Sequence, residues 1–190
     1  VIYCQPRTTI IDPTKYKYPY LLRRVKAEQP NQIWALDITY IPMSKGFMYM
    51  VAIIDLYSRY IVNWSISNTM EAKWVVATIK EAVGKHGKPD IINSDQGSQF
   101  TSDDYIEYIK SLEHTKISMD GKGRALDNVF IERFWRTIKY EKINIIIPSD
   151  GIELFKTCQE FIEYYNSERP HESIEYQSPV QDYRGAAQGY

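Results

Sequence analysis

The stretch IINSDQGSQFTS, residues 91–102, is the segment on which the fold assignment depends. Its two isoleucines begin a short buried strand, and the chain then passes through Asp95 into a turn that contains Gly97. Thr101 or Ser102 is the expected N-cap of the helix that follows. A buried strand seldom ends on an unpaired carboxylate, so Asp95 is interpreted either as a turn-forming aspartate or as a functional one.

Apolar periodicity predicts the elements on both sides of this stretch. Strands are expected at 33–41, 47–56, 60–66, 91–94 and 114–118, and helices at 71–86, 102–112, 128–144 and 152–166. Three strands joined by short turns form an antiparallel meander, and the later strands alternate with helices as in parallel crossovers. The pattern predicts one α/β domain with a five-stranded mixed sheet: a three-strand antiparallel meander, two parallel strands, and helices on both faces.

Composition is that of a soluble globular protein, with 44% hydrophobic and 25% charged residues among 190. The longest apolar run, residues 47–54, is too short to cross a bilayer, and no signal peptide is recognised. Cys4 and Cys158 form no C-x-x-C pair, which suits a reducing cytosol. The three histidines have no metal-ligand spacing. A cytoplasmic protein with no membrane partner is therefore expected.

Charge is unevenly distributed although the formal net charge is only −1. Residues 1–32 hold six basic and two acidic side chains, whereas residues 150–182 hold eight acidic and two basic ones. A second basic cluster comprises Lys116, Lys122, Arg124, Arg133, Arg136, Lys139 and Lys142. Such basic segments either follow a phosphate backbone or are solvated faces, and charge alone does not distinguish these readings.

Two aspartates are expected to meet if the first and fourth strands are neighbours. Asp37 lies in the middle of the first strand, where a charge is costly unless something neutralises it. Asp95 ends the fourth strand. Two carboxylates side by side repel, so either one is protonated or a cation lies between them. A set of ligands made up of oxygen atoms alone suits Mg²⁺ or Mn²⁺ rather than Zn²⁺.

The predicted helix 128–144 supplies a third acid. Its apolar side carries Phe130, Phe134 and Ile138, and its other side carries Asn128, Glu132, Arg136 and Lys139. A carboxylate beside two cations suits metal binding next to bound phosphates. The plainer alternatives are a solvent-facing Glu132–Arg136 ion pair, an ordinary surface lysine at 139, and Asn128 as an N-cap.

Four motifs together resemble one family. Asp37 in WALDITYI, Asp95 in NSDQGSQFTS and Glu132 in ALDNVFIERFWRTIKYE resemble the DDE triad of bacterial insertion-sequence transposases with a retroviral-integrase core. The 36 residues between Asp95 and Glu132 are one more than is usual in that family, which implies a one-residue insertion in the loop. Lys139, seven residues after Glu132, matches the family's extra basic position. YYNSERPHESI, residues 164–174, resembles its C-terminal signature.

This resemblance covers about residues 30–180 and implies a ribonuclease-H-like fold. It divides the chain into a basic extended arm (1–32), an integrase-type catalytic core (33–170) and a C-terminal tail (171–190). It also implies two divalent ions about 3.5–4 Å apart, with Asp37 bridging both, Asp95 on one and Glu132 on the other. The implied cofactor is Mg²⁺ or Mn²⁺.

The implied activity is cleavage of phosphodiester bonds at element ends, followed by transfer of the 3′-hydroxyl into target DNA. The implied partners are double-stranded DNA, as terminal repeats and target, and further copies of the chain in a homo-oligomer near the bacterial nucleoid. Lys139, Arg136, Lys122 and Arg124 are the expected DNA contacts. Two alternatives are a stand-alone metal-dependent nuclease of the same fold and a non-catalytic DNA-binding remnant.

Overall fold

The computed structural model describes residues 18–23, 25–120 and 129–185. The strands are β1 (Ile33–Pro42), β2 (Phe47–Asp55), β3 (Ile61–Ser67), β4 (Ile91–Ser94) and β5 (Lys116–Met119). The α-helices are α1 (Ala72–His86), α2 (Asp103–Ser111), α3 (Val129–Ile138), α4 (Gly151–Ser167) and α5 (Pro179–Gly185). A π-helical segment (Lys139–Ile143) follows α3, and a 3-10 turn (Glu172–Ile174) follows α4.

The five strands form one mixed sheet in the order β3-β2-β1-β4-β5. β1 pairs antiparallel with β2, and β2 pairs antiparallel with β3, because short turns connect them. β4 runs parallel to β1, and β5 runs parallel to β4, with α1 and α2 in the connections. The predicted mixed sheet is therefore confirmed, and β1 and β4 are neighbours, which was the condition for Asp37 and Asp95 to meet.

Apolar side chains on both faces of the sheet form two cores. Ile33 and Ala35 of β1 face α3 and α4, whereas Trp34 and Leu36 face α1 and α2, and all four are fully buried. This alternation follows from the two-residue repeat of a strand. A strand that is covered on both faces reads as a nearly continuous apolar run, as β1 and β2 do.

Helix α3 is anchored by Ile131, Phe134 and Ile138, each buried against the sheet and contributing about 1.5–3 kcal/mol. The sequence predicts one helix over 128–144, but the α-helical hydrogen bonding ends at Ile138. Ile138 and Ile143 are both fully buried although they are five residues apart. An i→i+5 turn brings these positions to one side, whereas an α-helix would separate them, which accounts for the π-helical segment.

The two ends of the chain pack against the domain where the structure describes them. Leu22 is buried in the α3/α4 core, so this part of the predicted arm lies on the sheet. In the predicted tail, the hydroxyl of Tyr183 in α5 donates to Asn31 Oδ1 at 2.6 Å, and its ring stacks on Tyr60. Residues 1–17 lie outside the described residues. Within the described ranges, no helix has the length and apolar character needed to cross a membrane.

Candidate active site

The register of β1 and β4 brings Asp37 level with Asp95. Ala35 is paired with Asn93, so two residues further along these parallel strands the two aspartates are opposite each other on one face. β4 ends at Ser94, whereas β1 continues to Pro42. The two carboxylates therefore lie at the edge where the parallel strand stops, facing α3.

Asp37 is a largely buried carboxylate with a specific donor. The indole Nε1–H of Trp135, on α3, donates to Asp37 Oδ2 at 2.9 Å. Burial raises the pKa of Asp37 to about 6, the hydrogen bonds from Trp135 and the Ile38 backbone lower it, and the charges of Asp95 and Glu132 raise it. Asp95 and Glu132 therefore lie near enough to Asp37 to disfavour its charged form.

Asp95 has a turn-forming role in the structure. It is exposed, and its Oδ1 accepts the backbone N–H of Gly97 at 2.8 Å. A Cβ atom on residue 97 would lie 2.9 Å from that oxygen, closer than real Cβ contacts allow. Only glycine therefore fits beside the carboxylate as it is held. The turn bond uses Oδ1, and an ionised carboxylate has acceptor capacity for further ligands.

Glu132 lies exposed in the first turn of α3. The ion pairs among the described residues are Lys142–Glu160 and Arg169–Glu141, so the alternative Glu132–Arg136 pair does not form within 4.0 Å. Among the residues that the structure describes, no ion pair therefore holds the Glu132 carboxylate away from the aspartates.

The predicted DNA contacts have different positions. Lys139 is half-buried, and its Nζ donates to Thr39 Oγ1 at 2.6 Å, two residues along β1 from Asp37. Burial lowers the pKa of Lys139, and the charge of Asp37 raises it. Arg136 is exposed on α3. Lys122 and Arg124, with most of the loop 119–127, lie outside the described residues.

Asp120 and Trp135 were not among the predicted site residues. Ser118 of β5 pairs with Asn93, so Asp120 is level with Asp95 at the same edge. Asn93 Nδ2 donates to Asp120 Oδ1 at 3.1 Å. Burial raises the pKa of Asp120, the Asn93 bond lowers it, and the charges of Asp95 and Glu132 raise it. An aspartate directly after the fifth strand, as Asp95 follows the fourth, was the available signal.

The four carboxylates fit a divalent cation by chemical type. Oxygen donors suit Mg²⁺ or Mn²⁺, and a cation would relieve the repulsion that contributes to the raised pKa values of Asp37 and Asp120. Within the described part of the chain, no three His, Cys, Asp or Glu side chains converge closely enough to enclose a metal ion. An open arrangement is compatible with Mg²⁺, which keeps waters and takes ligands from substrate phosphates.

Comparisons with protein families and curated relatives identify proteins that are similar to this chain. Two integrase core domain models match, at residues 27–125 and 113–179. The chain is 39% identical over 165 residues to the transposase for insertion sequence element IS904 of Lactococcus lactis, covering 85% of this chain and 65% of the relative. It is 36% identical over 120 residues to transposase InsF of Escherichia coli, covering 62% and 41%. The chain thus spans less than two thirds of these relatives.

Solved structures give the same fold. The magnesium complex of the HTLV-2 integrase catalytic core domain aligns with a TM-score of 0.66 at 21% identity, covering 82% of this chain and 98% of that one. A chain of the simian T-cell lymphotropic virus intasome, solved in complex with the PP2A regulatory subunit B56 gamma, aligns with a TM-score of 0.73 at 15% identity, covering 90% of this chain and 60% of that one. With this ribonuclease-H-like sheet, an acidic edge facing α3, and a family model matched across residues 27–125, the chain belongs to the integrase core domain family.

Proposed function

We propose that the chain is the catalytic core of a DNA transposase, which cleaves phosphodiester bonds at element ends and joins the resulting 3′-hydroxyl to target DNA. The observation that carries this proposal is the level placement of Asp37 and Asp95 on neighbouring parallel strands, with Glu132 close enough to raise the pKa of Asp37. The similarity to two bacterial transposases supports the choice of reaction.

In this proposal the carboxylates of Asp37, Asp95 and Glu132 hold one or two Mg²⁺ or Mn²⁺ ions. Such ions, when bound, activate an attacking oxygen and stabilise the departing one in a displacement at phosphorus. Trp135 orients Asp37 through its indole N–H, which donates to Oδ2. Asp95 is oriented by the Gly97 N–H in the same way. Fixed carboxylates lower the reorganisation that the reaction requires.

The same proposal assigns double-stranded DNA as substrate and a homo-oligomer as the working assembly, acting at the bacterial chromosome. Cutting and joining two element ends requires at least two active sites. Assembly is supported by the HTLV-2 core, which was solved in dimeric and trimeric forms, and by the intasome. Light scattering of the protein on terminal-repeat DNA tests this point, and a strictly monomeric complex with full joining activity would contradict it.

A strand-transfer assay with Mg²⁺ tests the function, comparing wild type with Glu132→Gln and with the control Glu107→Gln, an exposed helix residue of α2. Glu132→Gln is expected to abolish cleavage and joining and to leave DNA binding nearly intact, because it removes one charge without a packing contact. The control should behave as wild type. Cleavage without joining by wild type would indicate a nuclease, and binding without either reaction a remnant. Full cleavage by Glu132→Gln would remove Glu132 from the triad.

A further inference from the structure

A pocket of about 290 Å³ lies on a different side of α3 from the acidic edge. It is bounded by the turn between β2 and β3, by α3, and by the chain that follows α4. Its lining includes four arginines and a histidine, namely Arg59, Arg133, Arg136, Arg169 and His171. None of the four carboxylates of the acidic edge lines it. We call it the arginine pocket.

Arg59 is the most enclosed of these cations. Its guanidinium lies 3.6 Å from the centre of the Phe130 ring, and Nη1 donates to the Tyr57 carbonyl at 3.3 Å. Its Nε is buried and has no hydrogen-bond partner among the described residues. A buried guanidinium nitrogen without an acceptor is costly, because desolvation of a charged group is not compensated. An anion bound beside this guanidinium would offset part of that cost electrostatically.

The charge balance of the pocket is positive. The charge of Arg169 is neutralised by a bidentate ion pair with Glu141 of the π-helical segment. Arg133 and Arg136 are exposed, and neither has a carboxylate within 4.0 Å among the described residues. The single carboxylate in the described lining is Glu172. Within the described lining three guanidinium groups therefore face one carboxylate, and the charges of Asp55 and Asp182 act on Arg59 from outside the pocket.

His171 adds a neutral polar group to the same wall. Its ring packs edge-on against Tyr165 at 4.7 Å, and its Nε2 is buried without a hydrogen-bond partner among the described residues. Burial, with the charges of Arg169 and Arg59, lowers the pKa of His171 to about 4. The imidazole is therefore neutral at physiological pH and adds no charge to the pocket.

The YYNSERPHESI stretch, whose role the catalytic proposal leaves open, builds this wall. Asn166 accepts the N–H of Ile61 at 2.8 Å and donates to its carbonyl at 3.1 Å, which fixes the end of α4 to β3. From that fixed point the chain turns, so that Arg169 and His171 reach the pocket. In this motif Asn166 has a structural role, whereas Arg169 and His171 line the arginine pocket.

We propose that the arginine pocket binds a backbone phosphate of the DNA on which the acidic edge acts. This inference rests on the proposed function, since it takes DNA as the substrate. Guanidinium groups bind phosphate oxygens through paired hydrogen bonds. Several guanidinium groups around one cavity therefore favour a multiply charged anion or a phosphodiester as the ligand. The pocket and Glu132 share α3, and a helix with its side chains is about 10–12 Å across, so one DNA strand can contact both.

The test measures DNA affinity against NaCl concentration by fluorescence anisotropy, with short mixed-sequence duplex DNA in EDTA so that no cleavage occurs. Arg133→Gln removes an exposed cation, and Arg59→Gln removes the enclosed one. Lys88→Gln is the matched control, because Lys88 is exposed beyond the opposite end of β4 from Asp95. Both arginine variants should bind more weakly and reduce the slope of log Kd against log salt by about 0.9. The control should keep the slope of wild type.

Glu172→Gln should change the DNA affinity in the opposite direction. It removes the carboxylate that repels a phosphate, so binding should become several-fold tighter. Circular dichroism shows whether a variant binds DNA weakly because it is unfolded or because it has lost a phosphate contact. If Arg59→Gln unfolds, the exposed Arg133→Gln still tests the proposal. Phosphate binding by the arginine pocket is overturned if Arg133→Gln, or both arginine variants where both fold, keep the salt slope of wild type. In that case the proposed function still stands if the wild-type protein binds and joins DNA. An absence of DNA binding by wild type overturns both.

Discussion

Replacing Asp37 by asparagine is expected to stabilise the protein while abolishing its activity. The carboxylate is largely desolvated and lies beside two further acids, so its charged form is disfavoured in the folded state. Asparagine has the same shape, and its Oδ1 can still accept the indole N–H of Trp135. The substitution removes the charge and keeps the hydrogen bond from Trp135.

The size and pH dependence of this effect follow from the pKa. The pKa of Asp37 rises from 3.8 to about 6 on folding, and each unit corresponds to about 1.36 kcal/mol. A carboxyl whose pKa is higher in the folded state loses stability as pH rises, because the unfolded chain ionises first. The free energy of unfolding of the wild-type protein thus falls by up to about 3 kcal/mol as the pH rises from about 4 to about 6. Asp37 keeps some solvent contact, so the expected gain for Asp37→Asn at pH 8 is about 1–3 kcal/mol.

Urea unfolding in EDTA at pH 5 and pH 8 measures this difference. Asp55→Asn is the comparison variant: burial raises the pKa of Asp55 as well, but its oxygens accept bonds from Ser58 N–H, Ser58 O–H and Asn31 N–H, which an asparagine cannot all keep. An asparagine there turns an amide N–H₂ towards one of these donors and should destabilise by about 1–3 kcal/mol at pH 8. The argument is refuted if Asp37→Asn is less stable than wild type at pH 8, or if its advantage is the same at both pH values.

Three further substitutions probe the acidic edge. Gly97→Ala should leave the melting temperature nearly unchanged but lower strand transfer by about 100-fold, because the new Cβ displaces the Asp95 carboxylate; full activity would show that this position of Asp95 is not the working one. Asp95→Asn should weaken Mn²⁺ binding in a calorimetric titration, and isotherms identical to wild type would count against a metal at Asp95. Lys139→Ala should reduce the salt slope of DNA binding by about 0.9; if Lys139 only supports Thr39, the slope stays and stability falls by about 1 kcal/mol.

Local patterns in the sequence were sufficient for the strands and for the type of sheet. Strand periodicity and short turns predict the antiparallel meander, whereas the meeting of Asp37 and Asp95 was expected only if β1 and β4 were neighbours, and the structure supplies that adjacency. Each step uses contacts within one element or between two paired elements. The predicted bounds of β4 agree with the structure, and Ser102 acts as the N-cap of α2, as one of the two expected caps.

Features that depend on distant contacts were not predictable in this way. The indole of Trp135 reads as core packing from its place on the helix, and its bond to Asp37 exists only because α3 crosses β1. The π-helical segment depends on burying Ile143 against the sheet. Helix α5 is short and polar, and it is held by contacts of Tyr183 with Asn31 and Tyr60. Tertiary packing decides each of these.

The rigid anchoring of α3 links the acidic edge to the arginine pocket. Phe134 and Ile138 fix the helix in the core, Trp135 ties it to Asp37, and Phe130 and Arg133 face the pocket. A phosphate bound in the pocket therefore lies at a distance from the carboxylates that is set before DNA arrives. Preset spacing aligns the scissile bond without ordering the protein during the reaction, which is where positioning contributes most to rate. Loss of a pocket contact should accordingly impair joining more than it impairs binding of metal ions at the acidic edge.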